Sequence, residues 1–422
     1  MIQDIFHEWN SVFDQSKTTV MFDMLEMNSS SAVDPSSKLS KIIDKSRNGI
    51  PISREDALYL VTLSPEELPY LLFAASAVRD EGKGNELSYS KNIFVPLTRL
   101  CRDRCAYCTF KIEPGEAELF LTIDEVKEMA KKGAALGCTE LLFVLGDKPE
   151  LKYKEYRDAL NAIGYKTTAD YLIDVCRETL MDTLYPHSNL GLSTPEELSE
   201  LRETNPSMGL MLENISDRLL KKGQAHHGCA DKVPRLRMQT MQYAGELRIP
   251  WTSGILVGIG ETWEERIDSL LALRDHNDEY GHIQEIIVQN FSPKEGIVME
   301  KFPPPTFMDM LKTVAISRLI YGKDMNIQIP PNLNYSSYSN YLLAGINDLG
   351  GVSPLTIDYV NPECPWPQVN SMTDEVENLG FELRERLPVY PEFINEEFVN
   401  SNVLKLINKH IDEAGFVPRE NS

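Results

Sequence analysis

From Asn92 onward the chain repeats one pattern: a short, β-prone apolar run followed by a longer stretch with the period of an amphipathic helix. Such alternation builds βα units and a parallel sheet covered by helices. The predicted strands are 92–98, 140–145, 183–190, 207–212, 251–257, 283–289, 325–329 and 350–353, about eight in all. Helix starts punctuate them: Thr122-Ile-Asp-Glu125 and Thr262-Trp-Glu-Glu265 are capping boxes, and Thr194-Pro195 opens another helix. Eight units predict a (β/α)8 barrel, with a partial six-stranded barrel as the fallback.

The flanks differ from this repeat. Residues 1–40 pair a short helical pattern with a Ser-rich loop and are predicted to be a partly flexible appendage. A helical prelude is predicted over 41–90, where Ser53 to Asp56 forms a capping box, then the barrel over 91–355. A proline-richer extension, 356–422, is expected to pack on the barrel. The net charge of −22 argues against nucleic acid and anionic membrane as partners. The acidic first residues and the lack of any run of about 18 apolar residues predict a cytoplasmic protein.

In a parallel barrel, chemistry collects where the strands end at their C-terminal side. Immediately after the first predicted strand stands Cys101-Arg-Asp-Arg-Cys105-Ala-Tyr107-Cys108. Four-iron clusters normally take four thiolates, so three close cysteines without a fourth point to a [4Fe-4S] cluster with one iron open to a ligand. Structural zinc would need a second ligand pair to close its tetrahedron, and no such pair occurs. His226, His227 and Cys229 read as a solvated loop, while Cys138 and Cys176 read as buried small hydrophobes. The strand ends also present Gly146 and Asp147, His187 and Asn189, Glu213, Gly258 to Glu261, Asn290 and Asn332. His187, Asn290 and Asn332 are the candidate catalytic residues by position, with Asp348 behind them.

The pattern C-x-x-x-C-x-aromatic-C at Cys101, Cys105, Tyr107 and Cys108 resembles the signature of the radical S-adenosylmethionine (SAM) superfamily. That resemblance implies cluster ligation by Cys101, Cys105 and Cys108, SAM on the open iron, and a 5′-deoxyadenosyl radical. It also implies cofactor contacts from Tyr107, Gly146, Asp147, Glu213 and Arg237, and from the Gly254 to Glu261 segment through Gly258, Gly260 and Glu261. Close strand–helix packing is the other reading of those glycines. The strings from Val95 to Cys108, Met208 to Glu213, Ile255 to Thr262, Ile283 to Phe291, Gly345 to Asp348 and Pro362 to Pro367 are similar to the CofG-type subunit family of 7,8-didemethyl-8-hydroxy-5-deazariboflavin (FO) synthases.

Membership would imply conversion of a hydroxybenzyl–ribityliminouracil adduct to the deazaflavin chromophore with loss of ammonia. A companion subunit would supply the adduct, and a ferredoxin or flavodoxin would supply the electron. The single three-cysteine loop predicts one subunit, not a two-domain fusion. Related alternatives are the companion subunit itself or a menaquinone-pathway cyclase; the non-enzyme alternative is an iron–sulfur or zinc scaffold.

Overall fold

A computed structural model of the protein describes residues 37–419, so most of the predicted N-terminal appendage, 1–36, lies outside the described residues. The prelude is helical: α1 (Lys38–Arg47), α2 (Arg54–Val61) and α3 (Leu68–Lys83). The Ser53 capping box is present, with Ser53 accepting from the Asp56 N–H and the Asp56 carboxylate from the Ser53 N–H.

Eight parallel strands then close into a barrel: β1 (Glu86–Thr98), β2 (Glu140–Leu145), β3 (Tyr185–Asn189), β4 (Ser207–Gly209), β5 (Trp251–Val257), β6 (Ile283–Asn290), β7 (Asn326–Gln328) and β8 (Asp348–Val352). All eight predicted strands are found, and the barrel is complete, not six-stranded. The crossovers include α4 (Ile123–Ala135), α5 (Lys154–Ala162), α6 (Thr168–Thr179), α7 (Pro195–Arg202), α8 (Pro234–Glu246), α9 (Trp263–Tyr280) and α10 (Phe307–Tyr321). The β7–β8 crossover is a 3₁₀ turn over Tyr338–Ala344. The capping boxes at Thr122, Thr194 and Thr262 all form. Strand residues such as Ile93, Phe143, Trp251, Ile286 and Ile327 point outward under the helices, and their burial forms the main core. Among the described residues no helix is long and apolar enough to cross a membrane.

The strand pattern missed one feature. β1 begins six residues before its apolar run, and this polar half, Glu86 to Lys91, joins the barrel to the C-terminal chain. Beyond α11 (Val369–Glu377), the strand β9 (Glu382–Arg386) pairs in parallel with Glu86 to Ser90. β8 pairs with an overlapping stretch, Ser88 to Lys91, so β9 occupies the opposite edge of β1, below β2. The chain then turns under the barrel, where Leu387, Val389, Phe398, Val403 and Ile407 of the tail and α12 (Ser401–Ile407) form a second core around Tyr185. The extension therefore does more than pack on the barrel: it supplies an edge strand and a floor.

Candidate active site

The barrel encloses a cavity of about 410 Å³ that runs from the cysteine loop at the top to Arg386 and Pro388 at the base. Its mouth is narrowed by the C-terminal extension, because Asp358, Val360, Asn361 and Trp366 line it together with Cys101, Cys105 and Cys108, and the Thr109 hydroxyl donates to the Val360 carbonyl at 2.8 Å. Asn361 and the Val360 carbonyl are held there by the Lys294 ammonium. The indole N–H of Trp366 donates to the Thr356 carbonyl at 2.9 Å.

The cysteine loop leaves β1 through Leu100 and turns under a cover formed by 225–232. Ala106 N–H donates to the Ala225 carbonyl at 2.8 Å, and the Asp103 carboxylate accepts from Ala230 N–H at 2.8 Å and from Asp231 N–H. This corrects the solvated-loop reading of His226 and Cys229. His226 is buried with its Nε2 3.1 Å from the Tyr107 hydroxyl, and Cys229 brings its sulfur to within 4.8 Å of that of Cys105. The coincidence of His and Cys in one short loop was the available signal, but its contact partner lies more than a hundred residues upstream.

Burial pushes the Cys101 thiol up to about 12, although the backbone N–H groups of Asp103 and Asp147 act in the opposite direction. The protein alone therefore does not favour a thiolate here; a bound iron cation would. The Asp147 N–H already points at the Cys101 sulfur, 3.2 Å away, as a hydrogen bond to a ligating thiolate requires. Three soft donors on one wall of a closed cavity fit a cluster.

A buried ionic group adjoins the loop. Lys232 Nζ lies 2.9 Å from Glu213 Oε1, Arg237 pairs with Asp231, and Arg102 pairs with Asp147. Burial opposes ionisation of Asp231 and Glu213, yet Arg237 and Lys232 outweigh it and hold both carboxyls below their ordinary range. Asp147 behaves oppositely: burial, followed by repulsion from Asp231, raises it to about 7 despite Arg102. Its Oδ1 is buried without a partner among the described residues and faces Gly191, where a Cβ would lie 3.2 Å away. A buried carboxyl oxygen in want of a donor, beside the ionised carboxylate of Asp231, is a fitting receptor for an ammonium group. Asp231, Lys232 and Asp103 were missed in the sequence, because an Asp-Lys pair before a helix-opening Pro234 carries no pattern of its own.

Among the remaining candidates, Tyr107, Gly146, Asp147, Glu213, Arg237, His187, Asn290 and Asn332 line the cavity. A Cβ on Gly146 would lie 1.9 Å from the Leu100 carbonyl oxygen, so glycine is required where β2 passes the cysteine loop. Glu213 is held at φ 63°, a left-handed conformation that turns it into the ionic group. Gly258, Gly260 and Glu261 do not line the cavity. The Glu261 carboxylate accepts from Gly258 N–H at 2.9 Å and Ile259 N–H at 2.9 Å and pairs with Arg266 at 2.7 Å, so it closes its own turn. Gly258 abuts Pro305, where a Cβ would come within 2.6 Å, whereas the nearest atom to a Cβ on Gly260 would lie 3.9 Å away. Asp348 is likewise placed at the barrel base, not the mouth, paired with Arg386 at 2.7 Å.

Residues 95–273 match the Radical SAM superfamily. The fold agrees: the hydrogenase maturase HydG superposes with a TM-score of 0.69 at 18% identity, covering 94% of this chain and 85% of that one, a likeness of fold alone. The class is a radical SAM enzyme, which uses a [4Fe-4S] cluster and SAM. The chain is 49% identical over 332 residues to the 7,8-didemethyl-8-hydroxy-5-deazariboflavin synthase of Methanopyrus kandleri, covering 78% of this chain and 99% of that one. It is 43% identical over 390 residues to the FO synthase of Streptomyces avermitilis, covering 89% of this chain but 45% of that longer one. The chain belongs to the 7,8-didemethyl-8-hydroxy-5-deazariboflavin synthase family.

Proposed function

We propose that the protein converts the hydroxybenzyl–ribityliminouracil adduct to the deazaflavin FO with loss of ammonia, as the subunit that acts after a companion enzyme has built the adduct. The observation that carries this reading is the enclosure of three cysteines and an amide-rich barrel interior in one cavity. Bound there, the cluster and SAM supply one-electron chemistry that yields a 5′-deoxyadenosyl radical.

Cys101, Cys105 and Cys108 would hold the cluster. Asp147, through its unpaired Oδ1, would receive the SAM ammonium. Arg237 engages Met211 and Asp231 through Nε and Nη1, which leaves Nη2 of its fork for the SAM carboxylate, and Lys232 with Glu213 would keep that wall charge-balanced. Tyr107, fixed by His226, closes the wall between cluster and substrate. Asn290 and Asn332, braced by Asn334 and Asp358 at 2.9 Å each, present amides to the uracil carbonyl and N–H groups. The floor and the extension over the mouth exclude water from the radical.

This reading extends to the organisation of the chain: a 41–90 prelude, a 91–355 catalytic barrel, and a 356–422 extension that completes the cavity. Its partners are the adduct-forming enzyme and a low-potential donor of the ferredoxin or flavodoxin kind in the cytoplasm. The test is anaerobic reconstitution and reduction, then incubation with SAM and the adduct. Fluorescent deazaflavin together with 5′-deoxyadenosine is the expected outcome. 5′-Deoxyadenosine without deazaflavin would reassign the protein to another radical SAM reaction, and a protein binding no iron would be a scaffold.

A further inference from the structure

The lower half of the cavity lies away from the cysteine loop and is lined by polar side chains. Asn92 sits six residues before the end of β1, about 20 Å down the strand from the cysteine loop at roughly 3.3 Å per residue. It is 1% exposed, and neither its amide oxygen nor its amide nitrogen has a hydrogen-bond partner among the described residues. On β7, Gln328 is buried with its amide oxygen equally unpaired. Both line the cavity. Space has been cleared for them: a Cβ on Gly351 would lie 2.1 Å from Asn92 Nδ2, and one on Gly350 would lie 2.0 Å from Gln328 Nε2.

His187 lines the same cavity, and its protonation state follows from its neighbours. The Ser207 hydroxyl donates its one proton to the Pro388 carbonyl at 2.7 Å, so it can only accept from His187 Nδ1–H at 2.8 Å. Nε2 is therefore a bare acceptor. Burial, then the Arg386 charge, pushes the imidazole down to about 3, which keeps it neutral. Glu285 is tied to Arg386 at 3.2 Å and to the Tyr390 hydroxyl at 2.6 Å, and burial raises it to about 7. The result is a pocket of amides and a neutral imidazole with two buried acids, Glu140 beside Asn92 and Glu285 at its foot, both of whose carboxyls burial pushes up. Such a lining suits hydroxyl groups, each of which donates once and accepts; it does not suit a phosphate, for which Arg386 is already committed to Asp348 and Glu285.

We propose that this lower chamber, formed by Asn92, Gln328 and His187 Nε2 above Arg386, is a polyol subsite that takes the ribityl chain of the substrate. The inference rests on the function proposed above. The chain is threaded downward, and the hydroxybenzyl–uracil end is thereby held under the cluster. Unpaired buried amides also make the site selective, because a substrate lacking the hydroxyls leaves them unsatisfied.

The test is anaerobic equilibrium dialysis of the reconstituted, SAM-loaded enzyme against the product deazaflavin and against the same chromophore bearing an N-pentyl chain in place of ribityl. The wild type should bind the ribityl form about 10- to 100-fold more tightly, and N92L and Q328M should each lose about tenfold or more of that preference while holding the pentyl form as the wild type does. Circular dichroism checks that both variants fold; if one does not, the other decides. Equal binding of the two ligands by a wild type that still makes deazaflavin would overturn the polyol subsite and leave the proposed function standing. Retention of the full preference by both variants would also overturn it. Failure of the wild type to bind either ligand or to make deazaflavin would overturn the proposed function, and the subsite with it.

Discussion

Arg386 is the residue whose loss should reveal how the C-terminal extension holds the barrel together. Its side chain is 4% exposed, with Nε 2.7 Å from Asp348 Oδ2, Nη2 3.0 Å from Asp348 Oδ1 and 3.2 Å from Glu285 Oε2, and Nη1 3.1 Å from the Leu387 carbonyl. R386M keeps much of the volume and removes the only cation bonded to either carboxylate among the described residues. Two buried acids then face each other without a counter-charge, a loss of about 3–5 kcal/mol. Against a total of about 5–15 kcal/mol, the variant keeps a marginal fold at best. The triple variant R386M/D348N/E285Q removes the charges as well, and replacement of a whole buried ion group by neutral side chains is close to neutral, so it should recover most of the loss. Guanidinium denaturation followed by circular dichroism measures both. A loss below about 1 kcal/mol for R386M, or a triple variant less stable than the single one, would refute the reasoning that charge compensation anchors β9.

The same method checks a dependence on pH. His187, His226 and His282 are each pushed down to about 3 by burial, so the native state refuses protons that the unfolded chain takes up below about 6.5. Their depressed pKa values contribute stability that is complete above about pH 6.5 and lost as pH falls toward 3. At pH 5 the loss is about 2 kcal/mol each, near 6 kcal/mol together; an unchanged denaturation midpoint between pH 7 and 5 contradicts it. C105A should remove the bound iron while the far-ultraviolet spectrum of the barrel persists; iron analysis close to the wild-type ratio contradicts the assigned ligand. G258A forces a side chain into φ 96° and to within 2.6 Å of Pro305, and should lower stability by about 1–3 kcal/mol. Because Gly258 does not reach the cavity, the SAM dissociation constant of folded G258A should stay within about twofold of wild type by calorimetry.

Most of the barrel was legible because its signals are local. A strand announces itself through an apolar run and a helix through its cap, and both lie within a few consecutive residues. The cysteine loop belongs to the same category: three thiols in eight positions carry their meaning whatever the rest of the chain does. β9 was not legible. Glu382-Leu-Arg-Glu-Arg386 has four charged residues in five, and it becomes a strand only because the polar start of β1 offers an open edge beneath β2.

By itself, then, the sequence determined the repeat, the barrel it closes into, and the cysteines that mark its catalytic end, since each depends on residues near one another in the chain. Only the tertiary structure decided which charges meet. Glu213 finds Lys232, Asp147 is left with a bare oxygen beside Asp231, Glu261 turns inward on its own loop, and Arg386 rises into the floor of the barrel. The physical reason is that the energy of a buried charge depends on its distance to others and on the water excluded between them. Neither quantity exists until strands remote in sequence have closed around the cavity.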